Sequence, residues 1–181
     1  MLADEHRKQL LSLARNSIAC AFDGCFDAPD AAMYDAPLRR RAGAFVTLRV
    51  RGGDLRGCIG SIYPREALVR AVHSNAISAA FRDPRFRPVQ RTEMAGLELE
   101  ISVMGPIEKV IDVDDVIVGR DGLIISRGRY AGLLLPQVAT EYGWDRQTFL
   151  DQTCVKAGLG REDWRRPETV IEKFSAEVFG E

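Results

Sequence analysis

The chain has 181 residues, with 25 Lys and Arg against 26 Asp and Glu, a formal charge of −1 and 46% hydrophobic residues. That length and mixture suit a folded chain with its own core and exclude a disordered polyelectrolyte. No apolar run approaches the roughly 20 residues that cross a bilayer, and the charged start Met1-Leu2-Ala3-Asp4-Glu5 lacks a secretory signal, so a cytoplasmic location is the default expectation.

Leu10, Leu11, Ala14, Ile18, Ala21 and Phe22 recur at helical spacing, so residues 4 to 22 read as an amphipathic helix that Gly24 stops. Pro29 and Pro37, set among Asp and Ala, make residues 23 to 42 a long connection. Val46, Leu48 and Val50 then alternate with Thr47, Arg49 and Arg51 before Gly52-Gly53, and Leu55 to Ile59 resumes the strand. A tight two-residue turn at Gly52-Gly53 pairs Val50 with Leu55, Leu48 with Gly57 and Val46 with Ile59 on one apolar face. The other face then opposes Arg49 to Arg56 and Thr47 to Cys58.

Residues 65 to 81 read as a helix broken by Asp83-Pro84-Arg85-Phe86-Arg87-Pro88. Leu97, Leu99, Ile101 and Val103 alternate with polar residues as a strand, and shorter strands follow at Leu123 to Ser126 and Leu133 to Leu135. Asp145 caps a helix that runs to Ala157 and is ended by Gly158, and Val170 to Phe179 reads as a final strand. Hairpins mixed with helices, without strict strand-helix alternation, indicate an α+β fold of antiparallel sheets flanked by helices.

The near-neutral total conceals an asymmetry. Residues 39 to 91 hold twelve arginines against three acids, whereas residues 92 to 119 hold seven acids and one lysine. A basic field attracts phosphate, carboxylate or nucleic acid; the bland reading is that the adjoining acidic block folds against it and neutralises it. Nucleic-acid binding is the weaker expectation, because aromatic stacking platforms are not interleaved with the arginines.

Cys20, Cys25, Cys58 and Cys154, with only His6 and His73 beside them, make no metal-binding pattern, and the thiols are expected to be free. No cofactor fingerprint is present, so no cofactor is assigned. The hairpin register puts Arg56 and Cys58 on one face, where a guanidinium favours the reactive thiolate. The alternative is an ordinary ion-pairing arginine beside a cysteine that packs as a small hydrophobe. Opposed Arg49 and Arg56 would require an acid or a bound anion. His73 is the one imidazole in the body of the fold and gives a remote thiol-imidazole option with Cys58.

Leu55-Arg56-Gly57-Cys58-Ile59-Gly60 resembles the LRGCIG hallmark of the AMMECR family, whose bacterial and archaeal members are labelled AmmeMemoRadiSam system protein A. Ala79 to Phe86, Glu100 to Pro106, Leu134 to Ala139 with Gly143-Trp144, and Cys154 to Leu159 are similar to further family segments, in family order over roughly residues 40 to 180. The resemblance implies one domain over residues 1 to 181, made of two subdomains with a cleft between them, in which residues 1 to 42 form the N-terminal helix and connection. It implies as partners a Memo-like protein and a radical-SAM protein. Carried over, the family segments would bring Arg56, Gly57, Cys58, Gly60, Asp83, Arg85, Gln137, Cys154 and Lys156 towards one region. There Cys58 with Arg56 would be the reactive pair, the others would bind a small anionic ligand, and Asp83 would serve as counter-ion to the paired arginines. A non-catalytic scaffold for the same partners is the alternative.

Overall fold

A computed structural model describes residues 1–181. The chain is α+β and divides into two compact units, Met1–Met104 with Glu177–Glu181, and Gly105–Ala176. No helix is long and apolar enough to cross a membrane.

In the first unit, α1 (Asp4–Ala21) buries Leu10, Ala14 and Ile18 on one stripe, as their spacing requires. The connection that follows is less irregular than its prolines suggest. It holds a 3-10 turn at Ala31–Met33, capped by the Asp30 side chain, and the short α2 (Ala36–Arg39). β1 (Ala44–Val50) and β2 (Leu55–Ser61) form the expected hairpin, with β1 also paired to β3 (Leu97–Lys109). α3 (Leu68–Phe81) packs on these strands. It begins three residues later than its sequence pattern, because Ala67 is held in a bridge to Arg41 and Leu68 N–H bonds the Arg40 carbonyl. The strand order is β2-β1-β3-β6, of which β6 (Val170–Gly180) contributes its last residues to this unit.

The hairpin register departs from expectation in an informative way. Val46–Ile59, Thr47–Cys58 and Leu48–Gly57 pair as the sequence predicts, but Arg49 pairs with Leu55. The loop is not a two-residue turn: Gly53 N–H bonds the Val50 carbonyl at 2.9 Å and Val50 N–H bonds the Asp54 carbonyl at 2.9 Å, which leaves three loop residues. A bulge between Leu48 and Arg49 on one strand, with Arg56 as the extra residue opposite, then restores the outer register. Arg49 and Arg56 are therefore not opposed, and the paired-arginine expectation is corrected.

In the second unit, β4 (Asp121–Arg127) lies between β6 and β5 (Tyr130–Leu134). α4 (Pro136–Glu141) starts on Pro136, a residue suited to the first turn of a helix. α5 (Arg146–Lys156) is capped by Asp145, whose carboxylate accepts from Thr148 N–H at 2.7 Å. Val116, Leu123, Ile125, Phe149 and Cys154 form the core of this unit.

Candidate functional site

The LRGCIG segment occupies β2, an edge strand. Gly57 is what lets α3 lie against it: a Cβ at Gly57 would stand 2.2 Å from the Ala79 carbonyl oxygen. Gly60 is equally constrained, since its Cβ would stand 2.3 Å from the Ala44 carbonyl oxygen. Both glycines thus serve close packing of backbone on backbone.

With α3 this close, the turn that leaves it reaches the strand edge. Phe86 N–H bonds the Asp83 carbonyl at 3.1 Å, with Pro84 inside the turn, and Arg85 N–H bonds Asp83 Oδ1 at 3.1 Å. Asp83 is only 5% exposed. Its Oδ2 accepts the backbone N–H of Cys58 at 2.9 Å. The Arg85 guanidinium grips both carboxylate oxygens, Nε to Oδ1 at 3.0 Å and Nη2 to Oδ2 at 2.7 Å, and Nη2 also donates to the Cys58 carbonyl at 3.2 Å. The Asp83–Arg85 pair therefore satisfies both main-chain groups of Cys58 on the open edge, as a neighbouring strand would.

Because Cys58 directs its main chain outward, Thr47–Cys58 is a pair without backbone bonds between its members, in which side chains approach most closely. Accordingly Thr47 Oγ1 donates to Cys58 Sγ at 3.3 Å. Cys58 is half-buried, neither sealed in apolar packing nor fully open.

Charge at this node follows from the geometry. The Arg85 guanidinium, opposed by burial but reinforced by the N–H groups of Cys58 and Arg85, holds the Asp83 carboxyl far below the usual carboxylate range. Arg85 is shifted upward in turn, chiefly by its hydrogen bonds to Asp83. The guanidinium that reaches Cys58, through the carbonyl, is thus that of Arg85. Its side chain is 54% exposed, and its Nη1 takes no part in the bonds just described.

Arg56 is directed elsewhere. Its Nε and Nη2 donate to the two oxygens of Glu93 at 2.8 and 3.2 Å. Glu93 also accepts Gln90 N–H at 2.7 Å, and Arg56 first, then that N–H, holds its carboxyl below the ordinary range. The counter-ion of Arg56 is therefore Glu93, and Asp83 belongs to Arg85. The sequence carried a signal for Glu93, which stands three residues after Gln90 at the start of a 3-10 turn, the spacing of a capping box.

His73 is likewise engaged away from Cys58, with Nδ1 2.8 Å from Ser17 Oγ and Nε2 3.4 Å from the Phe26 carbonyl. The acidic block neutralises little of the basic one, since Glu93 takes Arg56 and Glu98 takes Arg51. Arg39, Arg40, Arg41, Arg65, Arg82 and Arg87 stay exposed without an acidic partner.

Gln137, Cys154 and Lys156 belong to the second unit. Gln137 lies half-buried in α4 and Lys156 exposed in the last turn of α5. Cys154 is 0% exposed among apolar side chains, and burial pushes its thiol up to about 11. That corrects its assignment as a ligand-binding residue. Gly132 admits the end of α5 against β5, since its Cβ would stand 2.4 Å from Ala157 N.

A family model, AMMECR1, matches residues 11–179. Protein NEQ441 of Nanoarchaeum equitans is 38% identical over 179 residues, which cover 95% of this chain and 98% of that one. A protein of Methanothermobacter thermautotrophicus is 48% identical over 149 residues, covering 79% and 77% of the two chains. The crystal structure of the uncharacterized protein PH0010 from Pyrococcus horikoshii superposes with a TM-score of 0.87 at 41% identity, covering 99% of this chain and 93% of that one. The chain belongs to the AMMECR1 family.

Proposed function

We propose that this protein is a component of a Memo-like/radical-SAM modification system, and that the Cys58–Asp83–Arg85 node is where it takes an anionic group of the substrate. One observation carries the reading. Arg85, fixed at two points on a buried carboxylate, keeps a free Nη1 and a half-exposed side chain beside a half-buried thiol. A guanidinium held in this way is preorganised for a carboxylate or phosphate, because its rotamer entropy is already spent. Arg85 is the anion clamp and Cys58 the group placed to meet what it holds. Arg56, saturated by Glu93, fixes the strand that carries them.

The test compares alkylation of Cys58 by iodoacetate and by iodoacetamide, read by peptide mapping. An anion clamp makes the anionic reagent relatively faster at Cys58 than at the exposed Cys20 and Cys25. Arg85→Gln should remove that preference, Arg56→Gln should keep it, and inorganic phosphate should compete. A preference equal to that of the exposed cysteines and indifferent to Arg85→Gln would refute the clamp. Co-purification with a Memo-like and a radical-SAM protein on coexpression tests the partners, and its failure would refute the system assignment.

The Thr47 hydroxyl donating to Cys58 Sγ favours a second reading, a scaffold in which the thiol only packs. A Cys58→Ala strain with an intact pathway would select it.

A further inference from the structure

We propose that Cys20 and Cys25 form a reversible dithiol–disulfide site at the end of α1. The two helix ends that carry cysteines in this chain are built alike. At α1, Gly24 has φ +77°, its N–H bonds the Ala21 carbonyl at 3.1 Å, and Cys25 N–H reaches back to the Cys20 carbonyl at 3.2 Å. At α5, Gly158 has φ +79°, its N–H bonds the Val155 carbonyl at 3.0 Å, and Leu159 N–H reaches back to the Cys154 carbonyl at 2.9 Å. In this helix ending the residue after the glycine and the residue five before it bring their side chains together. At α5 those residues are Cys154 and Leu159, both packed in the apolar cluster of the second unit. At α1 both are cysteines, and both are exposed.

Covalent geometry keeps the two cysteines within about the reach of a bridge. The hydrogen bond between Cys25 N and Cys20 O, with the bond lengths on either side, limits the Cα separation to about 7 Å. Disulfides span roughly 4.4–6.8 Å between Cα atoms. The space around Gly24 is open, with nothing within 4 Å of where a Cβ would sit. The third and fourth thiols differ in kind: Cys58 is half-buried against Thr47, and Cys154 is sealed in the core.

The oxidant is a low-molecular-weight disulfide such as that of glutathione. The thiolate of one cysteine attacks a sulfur of the oxidant, forming a mixed disulfide and releasing one small thiol with the proton. The second cysteine, as thiolate, displaces the remaining small thiol. Two protein S–H bonds and one S–S bond of the oxidant become one protein S–S bond and two small thiols. Excess thiol reverses both steps. The bridge spans the turn that carries Asp23, the partner of Arg91, and precedes Phe26, whose carbonyl faces His73 Nε2. The site's oxidation state therefore sets the stiffness of the link between α1 and the elements beside it.

Full-length protein equilibrated with graded ratios of glutathione disulfide to glutathione, quenched with a maleimide and digested with trypsin, tests the proposal. One tryptic peptide, residues 16–39, carries both cysteines. The expected product is that peptide unlabelled and two hydrogens lighter, while Cys58 and Cys154 are still recovered as thiols. Cys20→Ser and Cys25→Ser should each replace the bridge by a persistent glutathione adduct on the remaining cysteine. Gly24→Ala strains the left-handed residue and should lower the bridging constant about tenfold. Two adducts on the wild-type peptide without a bridge, or a bridge to Cys58 or to another chain, would overturn the proposal.

Discussion

Asp83 meets Arg85 and the N–H groups of Cys58 and Arg85 with two oxygens while buried, so its removal strands several donors at once. Asp83→Ala should destabilise the protein by about 3 kcal/mol; Asp83→Asn, which keeps an acceptor for the Cys58 amide, should cost about half that. Urea denaturation midpoints distinguish the two. The pH dependence has a defined sign, because the folded carboxyl is held below its unfolded value. Its contribution is complete above the ordinary carboxylate pKa of about 3.9 and is withdrawn as pH falls below that towards the depressed folded value. Asp83→Asn should flatten that acid limb, measured as stability against pH. At this scale the sequence was half legible. Cys58, Asp83 and Arg85 stand in recognisable segments and do meet, but the charge partners were exchanged. Arg85 is two residues from Asp83 and grips it, an arrangement that strand alternation does not report. Glu93 lies 37 residues from Arg56 and meets it only through the fold.

At the scale of elements, periodicity located most helices and strands, because one buried face repeats along each. Leu97, Leu99, Ile101 and Val103 are each no more than 3% exposed, as their alternation predicts. What periodicity misses is a change of count. The hairpin contains two departures that cancel beyond Leu48: a loop one residue longer and a bulge one residue deep. The apolar pattern is satisfied either way, so sequence recovers Thr47 opposite Cys58 and loses the direction of Arg56. The α4 turn was missed for a related reason, since six residues are too few to show a period. Close approach is equally invisible until α3 lies on β2. Gly57→Ala should then destabilise by about 2 kcal/mol, because the obstacle is the Ala79 carbonyl and not a side chain that can rotate away. Thermal melting checks the magnitude. Loss of the Cys58 anionic-reagent preference in the same variant would show that helix seating also positions Asp83.

At the scale of the molecule, the first unit is assembled from both ends of the sequence. Glu177 accepts the Leu2 N–H and the Arg7 guanidinium, while Glu181 pairs with Arg15 and, through its main chain, bonds Leu99. Deleting residues 177–181 removes these interactions and the end of β6 that pairs with β3. A loss of about 2 kcal/mol is expected, which corresponds to a midpoint lower by roughly 10 °C for a unit of this size. An unchanged melting curve would mean that these five residues decorate the unit without closing it.

That arrangement also constrains what can be completed when during synthesis. Residues 105–176 are made as one uninterrupted stretch, whereas residues 1–104 wait for a closing segment translated after all of them. The usual precedence of N-terminal over C-terminal folding therefore meets a topological limit here: the first unit closes only once the whole inserted stretch and residues 177–181 behind it have been made.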